Sequence, residues 1–176
     1  TKDAYSIWVS EIMLQQTRAE TVIPYYERFL SHYPDVYALA SAPQEELLKL
    51  WEGLGYYSRA RSLQKAAQII VSRHGGELPA DAEQLRALPG IGDYTSGAIA
   101  AIAFGIPVPA VDGNVERVIC RYFAIRDEMG SPAARKRIQQ QTQTLVPPDR
   151  PGAFANAMME MGAVMCTPKS PACLLC

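Results

Sequence analysis

The stretch Leu88-Pro-Gly-Ile-Gly-Asp-Tyr-Thr-Ser-Gly-Ala-Ile-Ala100 contains a glycine turn between two short segments with helical signals. Gly90 and Gly92 permit a positive φ and a close approach of another group to the backbone. The following helix presents free N–H groups and the positive end of its dipole, which suits one phosphate. We therefore predict a phosphate contact that involves Leu88, Gly90 and Gly92. A plain helix-helix turn has the same pattern and stays an alternative.

Helical signals also dominate on both sides of this turn, and strand signals are nearly absent. Apolar spacing, capping residues and helix-ending glycines predict a series of helices. They are expected over residues 4–16, 21–33, 43–53, 58–74, 82–88, 94–104, 115–123, 132–145 and 151–165. The sequence therefore predicts an all-α protein, with the helix-turn-helix unit at about residues 82–105.

The composition bounds the class of protein. A chain of 176 residues that is 48% hydrophobic can bury one good core or two small ones. The longest apolar run, residues 98–104, is too short to span a bilayer, so we expect no membrane partner. We expect an intracellular monomer, cytoplasmic and nucleoid-associated in a bacterium, and we leave the compartment open for a eukaryote. The net charge of −1 weakly argues against a nucleic-acid partner, although a local basic patch can suffice.

Three of the four cysteines, Cys166, Cys173 and Cys176, form a C-x6-C-x2-C array at the end of the sequence. Thiolates at this spacing can turn toward one ion or cluster. We favour an iron-sulfur cluster whose fourth ligand lies beyond the chain end or comes from another group. A structural zinc and plain reduced thiols are the alternatives. Cys120 lies within an apolar helix and is expected to pack in the core.

Glu11 stands in the segment Ile7-Trp-Val-Ser-Glu-Ile-Met-Leu14, which leaves little polar face for a carboxylate. Burial favours the neutral form of a carboxyl group, so we expect the pKa of Glu11 to rise. Glu11 could then donate a proton. A glutamate that reaches solvent or pairs with an arginine is the alternative.

Asp112 precedes a helix whose apolar residues repeat at helical spacing, namely Val115, Val118, Ile119 and Tyr122. Its carboxylate can accept backbone N–H bonds there, which would keep it ionised. A purely structural N-cap is the alternative. One protonated glutamate and one anionic aspartate form the pair that cleaves glycosidic bonds. Only a fold can show whether two residues 101 positions apart meet.

Several motifs occur in an order that resembles the MutY-type adenine DNA glycosylases of the helix-hairpin-helix superfamily. They are Trp8-Val-Ser-Glu-Ile-Met-Leu-Gln-Gln-Thr17, Gly53-Leu-Gly-Tyr-Tyr-Ser-Arg-Ala-Arg61, the glycine turn, Val111-Asp-Gly-Asn114 and the terminal cysteines. The resemblance runs from end to end. It implies hydrolytic removal of adenine mispaired with 8-oxoguanine or guanine in double-stranded DNA. It also implies a six-helix barrel domain over residues 1–111 and a 4Fe-4S cluster domain over residues 112–176.

The resemblance also implies roles for the residues of the reaction. Glu11 matches the acid that protonates adenine N7, and Asp112 matches the carboxylate that stabilises the sugar cation. Asn114, in the same motif as Asp112, is counted with the catalytic residues. Tyr94 matches the position where bifunctional relatives carry a lysine. The resemblance therefore implies a monofunctional glycosylase, which leaves the DNA strand intact.

Residues for DNA contact follow from the same resemblance. Gln15, Gln16 and Thr17 match a loop that probes around the lesion pair, and Tyr56 matches an aromatic wedge beside 8-oxoguanine. Taken alone, Tyr56 would be read as a core aromatic. Basic side chains on the predicted helices contact phosphate or form a solvated face, and the sequence leaves both open. They are Arg59, Arg61, Lys65, Arg117 and Arg121.

The sequence departs from the family pattern at several points. It opens at Thr1 without the family's upstream Arg and Trp contacts, and it lacks a fourth cysteine past Cys176 and a C-terminal 8-oxoguanine-recognition domain. Asn156 stands where relatives often have Glu or Gln. We therefore expect a fragment of a longer enzyme.

Three other functions stay open. A mismatch thymine glycosylase of the same superfamily can also have tyrosine at position 94. A non-catalytic helix-hairpin-helix iron-sulfur module would need neither Glu11 nor Asp112. An endonuclease III-like bifunctional enzyme should have a lysine in place of Tyr94, which disfavours it.

Overall fold

The computed structural model describes residues 3–176, which form ten α-helices and no strand, so the all-α prediction is confirmed. The helices are α1 (Ala4–Leu14), α2 (Ala19–His32), α3 (Val36–Ser41), α4 (Gln44–Leu50), α5 (Ser58–Arg73), α6 (Ala82–Arg86), α7 (Asp93–Phe104), α8 (Gly113–Tyr122), α9 (Pro132–Leu145) and α10 (Pro151–Glu160). A π-helical turn, Met161–Met165, and a 3-10 turn, Cys173–Leu175, follow. Within residues 3–176, no helix has both the length and the hydropathy to cross a bilayer.

Helix boundaries follow local capping chemistry. Asp35, Asp81, Asp112 and Ser131 each accept a backbone N–H bond three residues along the chain, at the start of α3, α6, α8 and α9. α3 was not predicted from the sequence, although its N-cap Asp35 is a local signal that could have indicated it. The helix predicted over 151–165 is α-helical only to Glu160, and its last five residues widen into the π-helical turn.

The chain divides into two compact units, one that extends to Ile99 and one formed by Ala100–Cys176. The division predicted at residue 111 came from the resemblance and stays a prediction.

In the first unit, α1 is buried almost all round, as its sequence predicts. It packs against α2 and α5, and α5 packs against α3 and α4. The largest fully buried side chains include Trp8, Phe29, Leu39, Leu47, Trp51 and Leu63. Truncating a buried tryptophan to alanine typically costs about 3–5 kcal/mol. The position of α1 therefore rests on apolar contacts along its whole length.

In the second unit, α8 packs against α9 and α10. Their shared core consists of Val115, Val118, Ile119, Ala134, Ile138 and Met158. Cys120 packs against this core, as predicted, and burial together with nearby Glu116 and Asp127 raises the pKa of its thiol. Gly152 allows α10 to approach the backbone of α7, since a Cβ there would lie 2.9 Å from the Ala101 oxygen.

Candidate active site

Glu11 lies on α1 with 8% of its surface exposed. Ile12 and Met13 beside it are buried as well, so the helix offers its carboxyl group little contact with water. The phenol of Tyr94 donates a hydrogen bond to Glu11 Oε2 at 2.8 Å. The predicted burial of Glu11 is confirmed, and the alternative in which it reaches solvent is wrong.

The contact between Tyr94 and Glu11 was not predicted from the sequence. Each residue was selected separately, and 83 positions separate them. The contact exists because α7 brings Tyr94 to the face of α1 that carries Glu11. A carboxyl group held in this way in a site with little water is suited to transfer a proton to a bound base.

The loop after α1 carries Gln15, Gln16 and Thr17. Gln15 Nε2 donates to Oγ1 of the buried Thr95 at 3.2 Å, which ties the loop to α7. Gln16 is exposed and has a φ of 59°, in the left-handed region. Thr17 N–H donates to the Leu14 carbonyl at 3.2 Å. Of the three residues selected for DNA contact here, Gln16 is therefore the exposed one, while Gln15 and Thr17 are half-buried.

Tyr56 lies in the loop before α5 and is 60% exposed, so its reading as a core aromatic is wrong. Its φ is 47°, again in the left-handed region. Such a conformation costs a non-glycine residue about 1–3 kcal/mol and persists only where the surroundings enforce it. Gln16 and Tyr56, both selected for DNA contact, thus share an unusual backbone conformation.

The glycine turn joins α6 to α7. Gly90 has a φ of +79°, and a Cβ there would lie 2.8 Å from the Cβ of Ser62 on α5. Gly92 does not use the freedom that glycine permits, because its φ is not positive and a Cβ at this position would have nothing within 4 Å. In the described part of the chain, neither glycine's N–H donates to a backbone carbonyl. These amides are available to an anion, and Leu88 is buried beneath the turn.

Asp112 forms the predicted N-cap of α8. Its Oδ1 accepts from Val115 N–H at 2.8 Å, and its Oδ2 accepts from Asn114 Nδ2 at 3.0 Å. Both carboxylate oxygens are oriented by hydrogen bonds from within the second unit. Glu11 belongs to the first unit, so the meeting of the two carboxyl groups stays a prediction.

Arg117 extends the hydrogen bonds of Asp112 to the cysteine segment. Its Nη2 donates to Asn114 Oδ1 at 2.8 Å and to the Gly162 carbonyl at 2.6 Å, and its Nε donates to the Cys166 carbonyl at 2.7 Å. The sequence left Arg117 open between phosphate contact and a solvated face. In the structure, Arg117 instead donates hydrogen bonds to other groups of the protein. No local sequence pattern could predict these partners.

The three cysteines of the C-x6-C-x2-C array line one cavity of about 540 Å³. Most of the other lining side chains are apolar, among them Val118, Ile119, Leu145, Phe154 and Met158, and Arg121 lines the cavity as well. Arg121 Nη1 donates to Cys166 Sγ at 3.2 Å and to the Thr167 carbonyl at 2.8 Å. Arg121, like Arg117, therefore holds the cysteine segment.

The three cysteines around this cavity are of the ligand type that an iron-sulfur cluster uses. Among the residues that the structure describes, no three His, Cys, Asp or Glu side chains form a group that could hold a metal ion. The choice between a cluster and a zinc ion therefore stays a prediction.

The basic residues at the start of α5 differ in their surroundings. Arg61 and Lys65 are exposed, which is compatible with both interpretations left open by the sequence, a phosphate contact and a solvated face. Arg59 is only 8% exposed, and its guanidinium donates to main-chain carbonyls. Both sequence readings of Arg59, phosphate contact and solvated face, are therefore wrong.

Known proteins are similar to this chain in sequence. The model of the HhH-GPD superfamily of base excision DNA repair proteins matches residues 9–148. The chain is 51% identical over 174 residues to the adenine DNA glycosylase of Homo sapiens and 42% identical over 192 aligned positions to that of Arabidopsis thaliana. These alignments cover 98% of this chain but 32% and 30% of the relatives. The chain thus spans about a third of the length of these relatives.

Solved structures share its fold. A thermostable thymine-DNA glycosylase superposes with a TM-score of 0.92 at 32% identity, over 100% of this chain and 81% of that one. An endonuclease III trapped as a covalent intermediate with DNA superposes with a TM-score of 0.86 at 26% identity, over 99% and 80% of the two chains. The chain therefore belongs to the HhH-GPD superfamily of base excision DNA repair proteins.

Proposed function

We propose that the chain is the catalytic part of an adenine DNA glycosylase. Its reaction is hydrolysis of the N-glycosidic bond of adenine mispaired with 8-oxoguanine or guanine in double-stranded DNA. The observation that carries the proposal is the buried Glu11 carboxyl group bound by Tyr94. It occurs in a chain similar along nearly its whole length to proteins named adenine DNA glycosylase.

In the proposed reaction, Glu11 donates its proton to N7 of an adenine extruded from the stack. The bond between C1′ and N9 breaks with its electron pair on the base, and neutral adenine leaves. The sugar becomes an oxocarbenium ion, which the anionic Asp112 stabilises. Water adds to C1′, and its proton passes to the Glu11 carboxylate, which restores the acid.

Tyr94 determines the class of product. A lyase would use an amine to attack C1′ and form a Schiff base before strand cleavage. A phenol has no amine, and here it is bound to Glu11. The product is therefore an abasic site in an unbroken strand.

The DNA contacts are divided between backbone and side chains. The amides of Gly90 and Gly92 bind a phosphate, while Gln15, Gln16, Thr17 and Tyr56 probe the mispair. Phosphate contacts position the protein, and contacts with bases supply selectivity.

We further propose that the protein acts as a monomer. Residues 1–111 then form its barrel domain, and residues 112–176 form its cluster domain.

Cys166, Cys173 and Cys176 would hold a 4Fe-4S cluster, with the fourth ligand contributed from outside this sequence. When bound, the cluster would cross-link the segments around Cys166 and Cys176 and would take no part in the chemistry. Lys169, exposed in the same segment, then contacts phosphate.

Removal of mismatched thymine is the second candidate function. One observation favours it, namely the TM-score of 0.92 with a thymine-DNA glycosylase. Sequence identity to that protein is 32%, against 51% to the human adenine DNA glycosylase. The adenine assignment is therefore preferred.

The test is base release by the full-length protein under single-turnover conditions. Three duplexes are compared, with adenine opposite 8-oxoguanine, adenine opposite guanine, and thymine opposite guanine. We expect adenine release from the first two. Thymine release alone would favour the second candidate, and no release from any duplex would favour a non-catalytic DNA-binding module.

A further inference from the structure

The buried side chain of Arg59 closes the end of α1. Its Nη1 donates to the carbonyls of Ile12, Met13 and Gln15 at 3.0, 2.9 and 2.5 Å. Its Nη2 donates to Thr17 Oγ1 at 3.3 Å. Carbonyls at a helix C-terminus lack partners within the helix and carry the negative end of its dipole, so a guanidinium there is favourable. Arg59 thus fixes both the last turn of α1 and the loop behind it.

The same guanidinium also binds the loop between α4 and α5. Its Nη2 also donates to the carbonyls of Leu54 and Gly55 at 3.1 and 3.3 Å. Its carbon lies 5.5 Å from the ring centroids of both Trp51 and Tyr56. Because Trp51 is fully buried, it provides a fixed surface against which the guanidinium packs.

The acceptors flank the two strained residues of this unit that were selected for DNA contact. Gln16 lies between Gln15 and Thr17, and Tyr56 directly follows Gly55. In residues 3–176, Arg59 forms no ion pair with a carboxylate, so its charge is balanced by main-chain carbonyls. A guanidinium has five N–H donors in a fixed plane, whereas a lysine ammonium has three at a single nitrogen. Lysine therefore cannot serve both loops in the same way.

We infer that Arg59 is a positioning residue that holds Gln16 and Tyr56 in the backbone conformations with which they recognise a mispair. The inference rests on the proposed function for its link to mispairs. Arg59 itself is buried, so it acts through the two loops and does not contact DNA. Non-specific binding depends on phosphate contacts of the glycine turn and should not need this arrangement.

The experiment compares Arg59→Lys and Arg59→Met with the parent full-length protein. Gln64→Met is the matched control, since Gln64 is also a buried polar residue of α5 but donates to the Ala42 carbonyl, away from both loops. Amide hydrogen exchange is measured at Thr17 and Leu54, whose N–H groups close the two loops. Affinity is measured for duplexes with adenine opposite 8-oxoguanine and for fully paired duplexes.

We expect faster exchange at both amides in the two Arg59 variants and not in the control. Affinity for the mispaired duplex should fall about 10-fold to 100-fold, since a misplacement of about 1 Å can cost up to about 100-fold. Affinity for the paired duplex should change by less than about twofold, because phosphate contacts carry no sequence information.

Three results would overturn the inference. They are parental exchange and mispair affinity in Arg59→Lys, faster exchange at only one loop, and equal loss of affinity for both duplexes. The exchange measurement needs no DNA. If the parent itself does not prefer the mispaired duplex, the proposed function fails, and exchange alone decides whether Arg59 holds the loops.

Discussion

The Glu11 site and the cysteine cavity are held together in different ways. Glu11 lies on a helix buried on nearly all sides, and Tyr94 reaches it from α7. Cys173 and Cys176 are exposed, and Leu174 and Leu175 between them are largely exposed as well. Apolar packing thus positions the first site, whereas arginine hydrogen bonds to Cys166 and its neighbours hold one side of the second.

This difference predicts different roles for the two sites, namely catalysis at Glu11 and structural support at the cysteines. A proton donor needs a fixed position and little water, and both come from a packed core. Thiolate ligands can be ordered by the group that they bind, because binding free energy then contributes to folding. Changes at Glu11 should therefore alter catalysis at constant stability, and changes at the cysteines should mainly alter stability and DNA binding.

The largest expected effect is that of Glu11→Gln. Glutamine preserves the shape of the side chain but cannot donate a carboxyl proton. Excision should slow by about 10²–10⁴-fold, the typical contribution of a general acid, while DNA affinity is retained. Single-turnover base release and a binding titration measure the two quantities. A rate within a few-fold of the parent would remove Glu11 from the mechanism.

Asp112→Asn should have the next largest effect. Loss of the counter-charge to the sugar cation should slow excision by about 10²–10³-fold, as for other electrostatic contacts to a transition state. Asparagine caps a helix about as well as aspartate, so stability should change little. Asp81→Asn, at the N-cap of α6, is the control. Equal excision rates in the two variants would show that Asp112 is only a cap.

Cys166→Ser tests the second region. The parent full-length protein, purified anaerobically, should contain about four irons per chain. The variant should lose iron and melt at a lower temperature, and its DNA affinity should fall more than its excision rate at saturating DNA. Cys120→Ala is the control, because Cys120 packs against the core of α8 to α10 and should not affect iron content. One zinc and no iron in the parent would contradict the cluster assignment.

Tyr94→Lys should produce the smallest effect, a low level of strand nicking. An amine at this position can form a Schiff base with the sugar. Borohydride should then trap a protein-DNA adduct in the variant only. Trapping by the unmutated protein would show that another lysine acts as a nucleophile, and the monofunctional assignment would be withdrawn.

Local sequence patterns predicted most helices but not all of their ends. Nine of the ten α-helices overlap a predicted segment, because helical periodicity and capping residues can be recognised within a short stretch of sequence. α3 was missed although Asp35 caps its first turn, whereas the shorter α6 was predicted beside the glycine turn that follows it. Sequence context also predicted the burial of Glu11 and the cap at Asp112 correctly. Taken alone, it did not predict the exposure of Tyr56, which only the family resemblance indicated.

By itself, the sequence determined the all-α class, the glycine turn, the burial of Glu11 and the cysteine spacing, because these depend on residues close in the chain. Only the tertiary structure paired Tyr94 with Glu11, buried Arg59 under two loops and bound Arg117 to the cysteine segment. The bonds from Tyr94 to Glu11, from Arg59 to Ile12 and from Arg117 to Cys166 join residues more than 40 positions apart. Their geometry depends on how whole helices pack, and no local pattern records the outcome of that packing.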